Sequence, residues 1–353
     1  MSRLDAILSE IFSLSTMEES ILLNILEERK VLKGYASDMT NEVRENRFSR
    51  GECCPHCKSE AVCKNGTYKR KQRYVCKSCN KTFSDLTHSP NYNSKKSIDK
   101  WIQYAKCMVA GYSIARCARE VGISIPTAFY WRHKIMDAIK EYIGVGHVDG
   151  VVEIDDTFIR ANYKGRHTEN SVFKMPRKPY KRGVKTDPNK PKEEKRKRGL
   201  SKDQIGIMCA IDRNGNIIAE PISRGMASAE AIENLFKDRM GEDTIACVDS
   251  CRSFIKFAKN TGIELQRIKS GKKKEGIYHI QHVNSFHSKL KTWLMRFKGV
   301  ATKYLSSYLS WFRWLELFKT EKEAVKVKNL LIHTHTALTT ARNEDFVLRQ
   351  IGF

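Results

Sequence analysis

The chain has 353 residues, enough for two or three domains with at least one sizeable core. Its 64 Lys and Arg against 40 Asp and Glu leave a formal net charge of +24, which points to a polyanionic partner, nucleic acid first. No run of about 18 apolar residues appears, so no spanning helix is expected and no membrane partner is implied. Eleven cysteines, an odd number, and an N-terminus without the shape of a signal peptide argue against a disulfide framework.

Leu4, Ile7, Leu8, Ile11 and Phe12, then Ile21, Leu22, Ile25 and Leu26, recur at helical spacing. They predict two amphipathic helices broken near 13–16, in an N-terminal helical segment, residues 1–50. That segment holds seven basic and nine acidic residues, so it is not the main phosphate-contacting surface. Residues 51–90 are rich in Cys and Lys. Cys54-Pro55-His56-Cys57 and Cys76-Lys77-Ser78-Cys79 are two Cys-x-x-Cys pairs. Together they supply four sulfurs for tetrahedral zinc, a zinc ribbon that needs its metal to fold. Cys53, Cys63 and His56 are spare donors, and Cys53 could replace Cys54. A closed four-cysteine site has no open position, so this zinc is structural.

Residues 95–143 read as a helix-turn-helix DNA-binding domain. Ser113–Val121 is one helix, Gly122–Ser124 the turn, and Ile125–Ala138 the second helix, with Ser124 as cap and Pro126 in its first turn. Thr127, Tyr130, Arg132, His133 and Lys134 are the candidates for reaching a major groove.

Residues 150–320 alternate strand-like and helix-like stretches, a mixed α/β domain. Strands are expected at 151–159, 204–211, 217–222 and 244–248, with a hairpin turn at 212–216. A helix is expected at 228–240, capped by Ser228, and a long helical region at 285–318, broken at Gly299. Residues 174–200 form a basic insertion with four prolines, suited to DNA backbone contact. Residues 321–353 form a C-terminal helical tail.

The first strand carries acids at its centre: Glu153-Ile154-Asp155-Asp156-Thr157. Alternation puts Glu153, Asp155 and Thr157 on one face. Buried carboxylates are costly unless paired or metal-bound. Ile245–Val248 followed by Asp249 repeats the pattern of an apolar strand ending in an acid. Two such aspartates suit divalent metal for phosphoryl transfer, with Mg2+ or Mn2+ as the hard cation. A third ligand is expected from the helix that follows, where Asn284, His287 and Lys291 share a face at i, i+3 and i+7.

These residues resemble bacterial insertion-sequence transposases of the ISXO-like group. The resemblance runs from about residue 50 to about 320. It is carried by the four ribbon cysteines, by 153–157, by Asp249 with Ser250 and Phe254, and by the block from His279 to Lys291. It implies a multidomain α+β chain: N-terminal helices, zinc ribbon, helix-turn-helix, then a ribonuclease-H-like core with C-terminal helices. It implies Asp155 and Asp249 as the first two catalytic acids. Matching Lys291 to the family's lysine puts Asn284 where many members carry glutamate, and some branches look similar in having Asn there. Asp156 stands where glutamate is usual.

An Asp155–Asp249–Asn284 site follows, with Glu153, Asp156, His287 and Lys291 in support and His287 as the competing ligand. The expected activity is cleavage at terminal inverted repeats and transfer of the ends to target DNA. It would act as a dimer or larger assembly on double-stranded DNA, in the bacterial cytoplasm at the nucleoid. A zinc-ribbon regulator with a decayed core, and a ribonuclease-H-like nuclease without transposition, are the alternatives.

Overall fold

A computed structural model describes residues 3–49, 51–68, 71–165, 203–249, 251–268 and 275–352. The chain divides into two compact units, residues 1–142 with 320–340 and residues 143–319 with 341–353. The basic segment 174–200 lies outside the described residues.

The first unit opens with α1 (Arg3–Phe12) and α2 (Thr16–Arg47). The break between them has a local cause. Ser15 and Glu18 form a capping box, in which the Glu18 carboxylate accepts the Ser15 N–H at 2.9 Å. A small antiparallel sheet follows, β1 (Val62–Tyr68), β2 (Lys71–Cys76) and β3 (Thr82–Ser84), in that order. Then come α3 (Ile98–Val109), α4 (Ile114–Val121) and α5 (Ile125–Ile143). Gly122 ends α4 at φ 64°, where only glycine is unstrained. Ser124 accepts the Thr127 N–H at 3.3 Å and so caps the start of α5. Trp101 of α3 stacks on Trp131 of α5 with ring centroids 3.8 Å apart.

The second unit is built on a five-stranded sheet of β4 (Val151–Arg160), β5 (Gln204–Asp212), β6 (Ile217–Arg224), β7 (Ile245–Val248) and β8 (Glu264–Arg267). Its order is β6-β5-β4-β7-β8. The strands β4, β5 and β6 run antiparallel in turn, and β7 and β8 run parallel to β4. The connections include α6 (Ala229–Phe236), capped by Ser228, and α7 (Arg252–Thr261). Val152, Ile154, Met208, Ala210, Ile218, Ala246 and Val248 form the core with Phe236, Phe254 and Phe257. The other face of the sheet meets α8 (Gln281–Met295), which packs on β4 and β5, and α9 (Leu305–Leu317), which packs on β6. The predicted break falls between them. Gly299 sits at φ 99°, and a Cβ there would lie 2.5 Å from Asn162 Nδ2. Trp293 of α8 meets Trp311 of α9 edge-on at 4.8 Å.

The C-terminal stretch serves both units. The helix α10 (Glu323–Thr336) packs on α2 and α3 in the first, whereas α11 (Asn343–Leu348) belongs to the second. This explains the length of α2, which runs well past the apolar stripe ending at Leu26. Its second half buries Met39 and Val43. At its end, the Arg47 guanidinium donates to the carbonyls of Asp85, Thr87, His335 and Ala337.

Candidate active site and metal centre

Two clusters of ligand-bearing side chains stand out, one in each unit. In the first, the turns at 54–57 and 76–79 flank the small sheet. They bring the sulfurs of Cys54, Cys57, Cys76 and Cys79 within 4.8 Å of one another. Cys54 Sγ lies 3.7 Å from Cys79 Sγ, and Cys57 Sγ lies 3.6 Å from Cys76 Sγ. A tetrahedron with metal–sulfur bonds of about 2.3 Å has edges of about 3.8 Å. The set therefore has the size that zinc requires. Backbone N–H groups, chiefly the Cys79 amide, draw the Cys76 thiol down to about 6. Cys53 is outside the set, and His56 instead pairs with His88, ring nitrogens 3.2 Å apart. Tyr74 and Phe83 stack at 5.2 Å beneath the cysteines. Arg44 pairs with the buried Asp85 carboxylate at 2.8 and 3.1 Å.

In the second unit, the central strand β4 carries Asp155 and Asp156, and Asp249 follows directly on the neighbouring β7. Burial, followed by the charges of Asp156 and Asp249, pushes the Asp155 carboxyl up to about 7. Burial, followed by Asp249, pushes Asp156 up to about 6. The charge of Lys291 acts in the opposite direction on Asp155. From α8, His287 presents Nδ1 at 3.7 Å from Asp155 Oδ2. Burial, then Lys291, pushes its imidazole down to about 4, so it is neutral at pH 7. Its buried Nε2 has no hydrogen-bond partner, and neither has the buried Oγ1 of Thr157. A carboxylate with a neutral imidazole nitrogen 3.7 Å away is a donor pair that suits a divalent cation. Asn284 and Lys291 lie on the exposed side of α8, one turn either side of His287.

The pH dependence follows from these shifts. Asp155 and Asp156 bind protons more tightly folded than unfolded, so their contribution to stability is lost as pH rises from about 3.8 through about 7. The metal-free protein should melt lower at pH 8 than at pH 5. Mn2+ should raise the midpoint at pH 8, at about 2–4 °C per kcal/mol. In Asp155→Asn both effects should shrink. A midpoint at pH 8 that ignores Mn2+ would count against metal binding by these acids.

Beside this cluster sits a network that sequence reasoning did not assemble. Glu153, fully buried, meets Arg213 Nη1 at 2.5 Å, His279 Nδ1 at 3.0 Å and His282 Nδ1 at 2.9 Å. Glu153 had been read only as a supporting acid, and Arg213 only as part of a turn. An Arg inside a hairpin, opposite a strand with a lone buried Glu, was the available signal.

The groove-facing set on α5 needs correction. Arg132 and His133 are 0% and 1% exposed. The Arg132 guanidinium donates to the Tyr112 carbonyl at 2.5 Å and to Cys117 Sγ at 3.2 Å, and His133 packs on Phe129. Arg132 occupies the core stripe that runs from Ala128 through Trp131 and Ile135 to Ile139, and His133 is buried at the flank of that stripe. Thr127, Tyr130 and Lys134 remain partly exposed.

A strand-centred acid thus stands beside a second acid just past the next parallel strand, with the polar face of α8 alongside. Residues 147–316 match the ISXO2-like transposase domain. An uncharacterized protein in transposable element ISH50 of Halobacterium salinarum is 27% identical over 303 residues. The match covers 84% of this chain and 97% of that protein. A chain in the crystal structure of a pre-cleavage Mos1 transpososome is similar over 62% of this chain and 73% of its own. The identity is 11% and the TM-score 0.19. Among the described residues, no helix is long and apolar enough to cross a membrane.

Proposed function

We propose that this chain is a DNA transposase that cuts at the ends of an insertion sequence and joins them to target DNA. Asp155, Asp249 and Asn284 would hold two divalent ions. The observation that carries the reading is Asp155 on the central strand, with His287 Nδ1 of α8 at 3.7 Å from its Oδ2 and Asp249 just past the parallel neighbour β7. The sheet order, with β4 central, supports a ribonuclease-H-like core. The helix pair α4–α5 supports a helix-turn-helix, with the start of α5 and Thr127, Tyr130 and Lys134 toward DNA. Zinc is the metal that four cysteines of this spacing favour.

Bound ions supply Lewis-acid stabilisation of the attacking and leaving oxygens. The chain's own groups do the rest. The acids hold the negative charge that gathers cations, and their burial excludes bulk water. Lys291 stands within electrostatic reach of Asp155, where it can meet a phosphate oxygen. In the first step water attacks the phosphodiester, the P–O3′ bond breaks, and a 3′-hydroxyl and a 5′-phosphate result. In the second, that hydroxyl attacks a target phosphodiester in line, and the target's own 3′-oxygen leaves. Joining two ends calls for at least two subunits on DNA.

His287 Nδ1 lies 3.7 Å from Asp155 Oδ2 and so competes with Asn284, which gives the third-ligand assignment a direct test. Asn284→Ala should lose strand cleavage while retaining DNA binding, because the amide is the oxygen donor on the exposed side of α8. Full cleavage by that variant would move the role to His287. Binding itself should fall steeply with salt, since phosphate neutralisation by Lys and Arg releases counterions. A filter-binding series from low to physiological salt reads this.

A further inference from the structure

We propose that Glu153 is the positioning residue that seats α8 on β4, and so sets the distance between Asp155 and the Asn284–His287–Lys291 face. The proposal rests on the reading of α8 as the bearer of the third ligand. Helix α8 has no cap of its own. Ile280 stands at the N-cap and offers no side-chain acceptor. In an ordinary helix the cap oxygen accepts the second or third backbone N–H. Here Glu153 Oε2 does so from another element, accepting the N–H of His282 at 2.8 Å and of Val283 at 3.1 Å. A carboxylate at this end also meets the positive pole of the helix.

Glu153 is completely buried, so its charge needs an equally fixed partner. Arg213 supplies it from the β5–β6 turn, its Nη1 2.5 Å from Oε1 and its Nη2 3.2 Å from the Ile277 carbonyl. The network therefore ties β4, the hairpin and the start of α8 at one point.

The spacing converts this anchor into registry. From Glu153 to Asp155 is two residues of strand, about 6.7 Å. From His282 to His287 is five residues of helix, about 7.5 Å. The helix thus runs alongside the strand, with His282 beside Glu153 and His287 beside Asp155. A slip of α8 by one residue would carry His287 about 1.5 Å along the axis and swing it about 100°.

Glu153, His279 and His282 also place their ligand atoms within 4.8 Å of one another, as a metal site would. The Arg213 guanidinium occupies that place. Its Nη1 lies 2.5 Å from Glu153 Oε1, 3.1 Å from His279 Nε2 and 2.9 Å from His282 Nδ1. A cation is already there, supplied by the chain.

The test uses the full chain and three readouts: strand cleavage at saturating DNA, DNA affinity, and amide hydrogen exchange across 280–286. Wild type and Asp249→Asn establish the cleavage assay. If wild type does not cut, the transposase reading fails, while exchange still reports on the anchor. Glu153→Ala should speed exchange at His282 and Val283 and slow cleavage by about 10–100-fold, as loss of supporting shells around metal sites does. Its DNA affinity should be unchanged. Glu153→Gln, which keeps an acceptor oxygen, should restore the slow exchange and part of the rate. If Glu153→Ala does not fold, Glu153→Gln and Arg213→Lys carry the comparison. Three outcomes would overturn the proposal. One is unchanged exchange in Glu153→Ala. Another is cleavage at the wild-type rate with a loosened α8. The third is stoichiometric Mn2+ or Zn2+ binding that survives in Asp155→Asn but is lost in His282→Ala.

Discussion

Asp249→Asn is expected to fold, to bind DNA at least as tightly as wild type, and to cut it about a thousandfold more slowly. The size follows from what a metal ligand does. Lewis-acid stabilisation of a transferring phosphoryl group is worth several kcal/mol. Each loss of about 1.4 kcal/mol is a factor of ten in rate. Asparagine keeps the shape of the residue and removes the charge that gathers the ions. Asp249 stands at the end of β7, beside Asp155 on the paired strand. Removing one negative charge from this place also relieves Asp155 and Asp156, whose carboxyls it pushes up. The folded variant should therefore be more stable than wild type without metal and gain less from Mn2+. Gel-shift, cleavage and thermal melts on one preparation read all three. Wild-type cleavage rates in Asp249→Asn would remove this acid from the chemistry.

Loss of the zinc proposed for the four cysteines is expected to be the second large effect. The small sheet has a core of Tyr74, Phe83 and the cysteines themselves, too little to fold unaided. Structural zinc contributes on the order of 10–16 kcal/mol of apparent binding energy in small zinc modules. A strong chelator, or Cys54→Ser with Cys76→Ser, should unfold residues 51–87. It should also release the packing of Phe48 against Tyr74 and the Arg44–Asp85 pair. Metal analysis should find one zinc per chain, and exchange should rise throughout 51–87 on chelation. The β4–β8 sheet should keep its protection. Purified protein with no bound metal and a fully protected ribbon would contradict the assignment.

The parts of the fold that could be read from the sequence are those with a local cause. Strands β4 to β7 follow from apolar runs and alternation, and the hairpin from Asp212-Arg213-Asn214-Gly215. In that turn Asp212 accepts the Asn216 N–H at 2.9 Å. Strand β8 was missed because Glu264-Leu265-Gln266-Arg267 is an edge strand with one apolar residue, and its pairing with β7 has no local signature. The full length of α2 was missed because its second half is held by α10, nearly three hundred residues further on. At the site, the acids could be read because buried charge is rare on a strand. Their partners could not: Arg213 and His282 lie 60 and 69 or more residues from what they touch or from each other, and only the folded sheet joins them. Arg132 misled because a basic residue on a candidate recognition helix invites a phosphate, although its spacing from Ala128 and Met136 already marked the core stripe.

Under the proposed function, the domain at 147–316 cuts and joins DNA with Asp155 and Asp249 at the centre. The most direct measurement incubates the purified chain with DNA carrying the sequences that flank its gene, with Mg2+, with Mn2+, and with neither. Metal-dependent nicking at the repeat ends that leaves 3′-hydroxyls, followed by their appearance joined to a second DNA, is the result predicted. Tight, specific binding with no cleavage in either metal would contradict it, and would make the chain a DNA-binding regulator built on a silent core.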